Sequence, residues 1–73
     1  MTWYMANELS KYIGEHLKDS RAKRNLTQAE VAKGAGTEPN YYHKLESGLA
    51  LPSLKLLQRI LKVLGARFRD VLP

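Results

Sequence analysis

Apolar residues recur along the chain at the three- and four-residue spacing of helix faces, and no segment shows a convincing strand alternation. Leu9, Ile13, Leu17 and Ser20 share one face of a predicted helix over about Asn7–Arg24, with Asn7 as its N-cap candidate. Asn25 is a residue type that takes the left-handed conformation ending helices, and Leu26 is expected to pack behind it. A second helix opens at "TQAE", where Thr27 can accept from a first-turn backbone N–H while Glu30 reaches back, the capping-box arrangement. Val31, Ala32 and Ala35 form its inner stripe, and Gly36 ends it. Glu38 precedes a proline and is pushed out of the helical region, so Pro39 becomes the first residue of a third helix reaching about Ser47. Gly48 stops that helix. Leu54, Leu57, Ile60, Leu61 and Leu64 supply the core stripe of a fourth, from near Ser53 to Gly65, and Phe68, Val71 and Leu72 predict a short fifth. The expected fold is all-α: a compact five-helix domain over residues 7–73, with residues 1–6 an N-terminal extension read as a mobile end.

The third helix raises the functional question. At 100° per residue Tyr42 and Leu45 point one way, while Asn40, His43, Lys44 and Ser47 point the other, forming a polar face that a small core cannot use. The second and third helices are short and are joined through a Gly-containing bend of about three residues. That is the pattern of a helix-turn-helix unit, whose second helix enters the major groove of DNA. Ala32, Ala35 and Gly36 are small enough for the two helices to cross closely.

Charge sharpens this reading. Twelve basic against seven acidic residues give a net charge of +5 and a pI near 9.8, which favours a polyanionic partner. Other classes lose support. No apolar run approaches the roughly 20 residues that span a bilayer, and no secretory leader is visible. The acidic Glu8, Glu15 and Asp19 spoil the first helix as a basic membrane-surface element. The chain has no cysteine, which removes disulfide, iron–sulfur and thiolate chemistry. Its two histidines, His16 and His43, sit in no nucleophile constellation, and His43 with Glu46 three residues on is too little for a metal site. No enzymatic activity, cofactor or metal is expected.

Three segments together resemble the Cro and phage-repressor family of helix-turn-helix regulators, the XRE-like class. "IGEHLKDSRAKRNLTQAEVA" is similar to its helix 1 and the Thr-Gln opening of helix 2, "NYYHKLESG" to its recognition helix, and "PSLKLLQRILKVLG" to its helix 4. The resemblance runs from Ile13 to about Leu72. It implies a DNA-binding transcriptional regulator, a small repressor acting as a homodimer on a two-fold-related operator in a prokaryotic or phage context, in the cytoplasm at the nucleoid. It also implies roles. Gln28 would contact a phosphate and brace the recognition helix, as a helix N-terminus favours. Pro39, Asn40 and Lys44 would face base edges, and Tyr41 and Ser47 would touch phosphate, with Thr27 and His43 beside them in the DNA-facing set. On spacing alone, a solvated face explains Asn40 and Lys44 as well, and Tyr41 could instead pack beside Tyr42. Arg21 and Glu46 match a partly buried ion pair joining helix 1 to helix 3.

Two departures from the family stand out. "LAL" follows Gly48 where polar or basic residues are usual, and Glu38 brings negative charge towards the phosphates. Leu49, Leu51, Leu56 and Val63 offer more apolar surface than one small core needs. They serve either a symmetric dimer seam or the monomer's own core. Five helices leave no room for a sensing domain, so control is expected from concentration, dimerisation or a second protein, such as the toxin partner of a DNA-binding antitoxin. A helical protein-interaction module without DNA binding is the rival class.

Overall fold

The structure, a computed structural model, describes residues 6–73, and these form five helices: α1 (Ala6–Lys23), α2 (Gln28–Ala35), α3 (Pro39–Glu46), α4 (Leu54–Leu64) and α5 (Phe68–Val71). No strand occurs among the described residues. The expected extension therefore lies outside them, apart from Ala6, which already belongs to α1. Asn7 is not the cap but a first-turn residue, its Oδ1 accepting from the Glu8 N–H at 3.0 Å.

Helix ends follow the local chemistry of the sequence. α1 stops where Asn25 adopts φ 55°, with the Asn25 N–H donating to the Ala22 carbonyl at 3.1 Å and the Leu26 N–H to that of Arg21 at 3.3 Å. These are the paired bonds of a Schellman motif, which satisfy carbonyls a helix end would otherwise strand. α2, α3 and α4 close with the same paired bonds, turning at Gly36, Gly48 and Gly65. At the start of α2 both halves of the capping box are made: the Glu30 N–H donates to Thr27 Oγ1 at 3.1 Å and the Thr27 N–H to Glu30 Oε1 at 2.9 Å. The bond from the Thr27 backbone holds the Glu30 carboxyl below its ordinary pKa. Ser53 caps α4 by accepting from the Leu56 N–H at 3.1 Å. Glu38 makes no side-chain cap, so α3 begins on the fixed backbone of Pro39 alone.

The core is continuous. Ile13 and Leu17 from α1, Val31 and Ala35 from α2, Tyr42 and Leu45 from α3, Leu57, Ile60, Leu61 and Leu64 from α4 and Val71 from α5 are all buried together. α2 packs on α3 and α4, and α1 lies across α3 and α5. α1 meets α3 at Gly14, which sits directly on the Leu45 and Glu46 carbonyls.

α4 is turned differently from the expectation. Leu54, expected in the core stripe, is 71% exposed, whereas Leu56, left open between a dimer seam and the monomer's core, is 9% exposed and belongs to the core. The cause is the approach of α2. Val63 packs over Gly34, where an added Cβ would come within 2.9 Å of Val63 Cγ2, and Arg59 Nε donates to the Ala35 carbonyl at 2.9 Å. Both contacts rotate the Leu56–Val63 side of α4 onto α2. Val63, the other α4 residue left open between seam and core, is half-buried and packs against the core.

Candidate nucleic-acid interface

Glu46 ends α3, where a carboxylate opposes the helix dipole, and its side chain is only 2% exposed. Such a group needs partners. Arg21 reaches across from α1, donating through Nε to Oε2 at 2.6 Å and through Nη2 to Oε1 at 3.1 Å. Its Nη1 donates to the Leu26 carbonyl at 2.8 Å, which fixes the fork. Gln28, first residue of α2, adds a bond from Nε2 to Oε1 at 3.0 Å. Burial alone would raise the Glu46 pKa, but the hydrogen bonds from Arg21 and Gln28 outweigh it and hold the carboxyl below its ordinary value. The bond to Glu46 raises the Arg21 pKa despite partial burial. Arg21 and Glu46 are therefore brought together as the sequence anticipated. One carboxylate joins α1, α2 and α3.

Tyr42 completes the surroundings of Glu46. Its hydroxyl is buried beside the carboxylate, outside the geometry of a full hydrogen bond. Burial, then the polar interaction of the hydroxyl with the Glu46 carboxylate and its charge, push the phenol far above its ordinary pKa. This keeps Tyr42 neutral and in the core.

What remains exposed on α3 is mostly polar. Pro39, Asn40, His43, Lys44 and Ser47 are exposed, and so is Tyr41, at 37%. Thr27 is exposed at the adjacent end of α2, its hydroxyl oxygen engaged by the capping bond. Gln28 is half-buried. With Nε2 on Glu46 and Oε1 3.3 Å from His43 Nδ1, its side chain braces α3 from both functional ends. The free N–H groups of the α2 N-terminus are what it leaves available to an anion. Leu49 and Leu51, in the loop after α3, are 75% and 46% exposed.

Sequence reasoning missed two contacts. Arg59 ties the end of α2 to α4, and Arg24 packs its guanidinium over Gly65, where a Cβ would come within 2.6 Å of Nη1. Both arginines read as ordinary surface cations in the sequence, and only Gly65, opposite Arg24, hinted at close approach. Among the described residues no group of three or more His, Cys, Asp or Glu could hold a metal, and no helix is long and apolar enough to cross a membrane.

The geometry is that of two short helices crossing at a glycine bend, the second presenting a polar face fixed from behind. The sequence profile of the helix-turn-helix family matches residues 17–71, which spans the bend and both helices. The chain belongs to the helix-turn-helix family. Within that family it is 42% identical over 55 residues to an uncharacterised HTH-type transcriptional regulator of Archaeoglobus fulgidus, a match covering 75% of this chain and 78% of that one. It is 33% identical over 55 residues to the cryptic phage CTXphi transcriptional repressor RstR of Vibrio cholerae, covering 75% of this chain and 50% of RstR. Among solved structures it resembles the clp gene regulator ClgR of Corynebacterium glutamicum, with a TM-score of 0.84 and 33% identity over 86% of this chain and 67% of that one. This helix-turn-helix protein is a transcriptional regulator with a DNA-binding domain.

Proposed function

We propose that the protein represses transcription by binding an inverted-repeat operator as a homodimer, with α3 in the major groove and the α2 N-terminus on the phosphate backbone. The observation that carries this reading is the exposed polar face of α3 (Asn40, His43, Lys44 and Ser47) anchored from behind by the Arg21–Glu46–Gln28 network. Asn can pair with adenine, and Lys can donate to guanine O6 and N7. RstR, a repressor by name, supports the direction of regulation. Such a protein works at the nucleoid, in the cytoplasm.

Support for the dimer comes from the leucines that folding leaves outside. Leu49, Leu51 and Leu54 are 75%, 46% and 71% exposed within six residues of chain, an apolar group that a monomer in water gains nothing by showing. Two copies related by a two-fold axis would set their recognition helices about 34 Å apart, one turn of B-DNA.

Selection of bound sequences from random duplex DNA tests the whole reading. The expected product is an inverted repeat whose affinity falls steeply with salt, because phosphate neutralisation releases counterions. Failure to enrich any duplex, or binding insensitive to salt, would remove the DNA-binding function. Enrichment of an unpaired half-site would remove only the dimer.

A further inference from the structure

Gln28 stands between two groups of opposite hydrogen-bonding demand. Its amide nitrogen is 3.0 Å from Glu46 Oε1, and its amide oxygen is 3.3 Å from His43 Nδ1. An ionised carboxylate can only accept, and Arg21 keeps Glu46 ionised. The Gln28 amide therefore has one orientation, nitrogen towards Glu46 and oxygen towards His43. A carbonyl oxygen also can only accept, so the proton of the His43 ring belongs on Nδ1. A neutral imidazole with its proton on Nδ1 has a bare Nε2, which is an acceptor. His43 is exposed on the outward face of α3.

We propose that His43 is a specificity-determining residue, reading an exocyclic amino group through Nε2, and that the Arg21–Glu46–Gln28 chain is what gives the ring this sense. The proposal rests on the DNA-binding reading above and goes beyond it by assigning a polarity to one contact. Phosphate oxygens accept only, so a bare Nε2 finds no partner on the backbone. In the major groove, adenine N6 and cytosine N4 carry amino donors, whereas guanine N7 and O6 and thymine O4 are acceptors. His43 thus selects adenine or cytosine on the strand it faces and rejects guanine and thymine. Gln28 and Glu46 act as positioning residues: neither needs to touch a base to decide which base is read.

The test has one arm without DNA and one with it. Long-range proton–nitrogen NMR of the free, nitrogen-labelled protein at about pH 8, above the usual range of imidazole titration, reports which ring nitrogen carries hydrogen. His43 is expected in the Nδ1–H form, and Gln28→Ala is expected to move it towards the Nε2–H form. If Gln28→Ala does not fold, Gln28→Met keeps the length of the side chain without its amide. Finding Nε2–H in the unmodified protein, or no change on removing the amide, overturns the relay. In the second arm, sequences are selected by the unmodified protein, His43→Ala, Gln28→Ala and the double variant. One base position should require adenine or cytosine. Each single variant should relax that preference about tenfold, and the double variant should relax it no further. A guanine or thymine preference, or a preference untouched by either variant, overturns the base assignment. Absence of any selected duplex with the Nδ1–H form present would instead overturn the DNA-binding reading and leave the relay standing.

Discussion

A Cβ built on Gly14 would lie 2.5 Å from the Leu45 carbonyl oxygen and 2.6 Å from that of Glu46, so α1 and the end of α3 meet backbone against backbone. No side chain can yield there, because what the Cβ meets is main chain. Replacing glycine by alanine within a helix ordinarily gains about 0.5–1 kcal/mol, but overpacking of this kind costs about 1–3 kcal/mol. Gly14→Ala should therefore lower the melting temperature. Gly34→Ala, which meets only the Val63 side chain at 2.9 Å, should lower it less. Thermal melts of the two variants decide this, and equal losses would contradict it.

Arg21 and Glu46 should be strongly coupled in stability. With the Glu46 side chain 2% exposed, removing Arg21 leaves a buried charge with only Gln28 to satisfy it, a loss of about 3–5 kcal/mol. Glu46→Gln combined with Arg21→Met should recover part of that loss, because neither charge then stays buried alone. Additive effects of the single substitutions in denaturant melts would show that the pair contributes independently.

Acid should act through the same carboxylate. Its folded-state pKa lies below the ordinary value of 4.5, so its contribution is complete above that value and is lost as pH falls through the lower folded pKa. The melting temperature of the unmodified protein should accordingly drop on acidification below about pH 4.5, and Glu46→Gln should show a shallower drop. Parallel pH profiles for the two proteins would rule out Glu46 as the group responsible.

On DNA, base-facing and backbone-facing residues should separate. Asn40→Ala and Lys44→Ala are each expected to relax preference at one base position by about 1–3 kcal/mol. Tyr41→Phe, which removes a single hydroxyl, should instead weaken all duplexes alike and leave the selected sequence unchanged. Unaltered selection by both Asn40→Ala and Lys44→Ala would mean that α3 is not the reading helix.

Leu54 offers a cleaner probe of pairing than the loop leucines. It is 71% exposed and occupies the first position of α4, where a carboxylate favours the helix dipole, so Leu54→Glu should not destabilise the monomer. If Leu54 is covered in the dimer, this substitution should weaken binding to a full inverted repeat about tenfold or more, while binding to a half-site changes little. Gel-shift titrations with both DNAs measure the difference; equal effects would place the partner surface elsewhere.

Much of this fold is legible in the sequence because it is decided locally. The capping box of Thr27 and Glu30, the stop at Asn25 and the start at Pro39 depend on residues within one turn of each other, and each forms as expected. The partnership of Arg21 with Glu46, 25 residues apart, is not local and was legible only through resemblance to a family. Leu54 and Leu56 show where periodicity runs out. At 100° per residue they lie roughly 70° and 90° from the centre of the α4 stripe, too similar for helical spacing to choose between them. The approach of α2, through Gly34 and Ala35, makes the choice. The sense of the Gln28 amide was hidden for the same reason, since it depends on two groups of α3 that share no pattern with α2.

The ties on α2 have a consequence for the entropy of association. Its first residue is held by Glu46 and its last carbonyl by Arg59, so both ends of the helix are fixed before any DNA is present. Gln28 and Arg59 are long side chains, and immobilising such a group at an interface costs about 0.5–1.5 kcal/mol. Here that freedom is lost during folding rather than on binding. The helix that meets the backbone and the helix that reads the bases therefore arrive as one rigid body, and a closely fitting operator and a poor one meet the same surface.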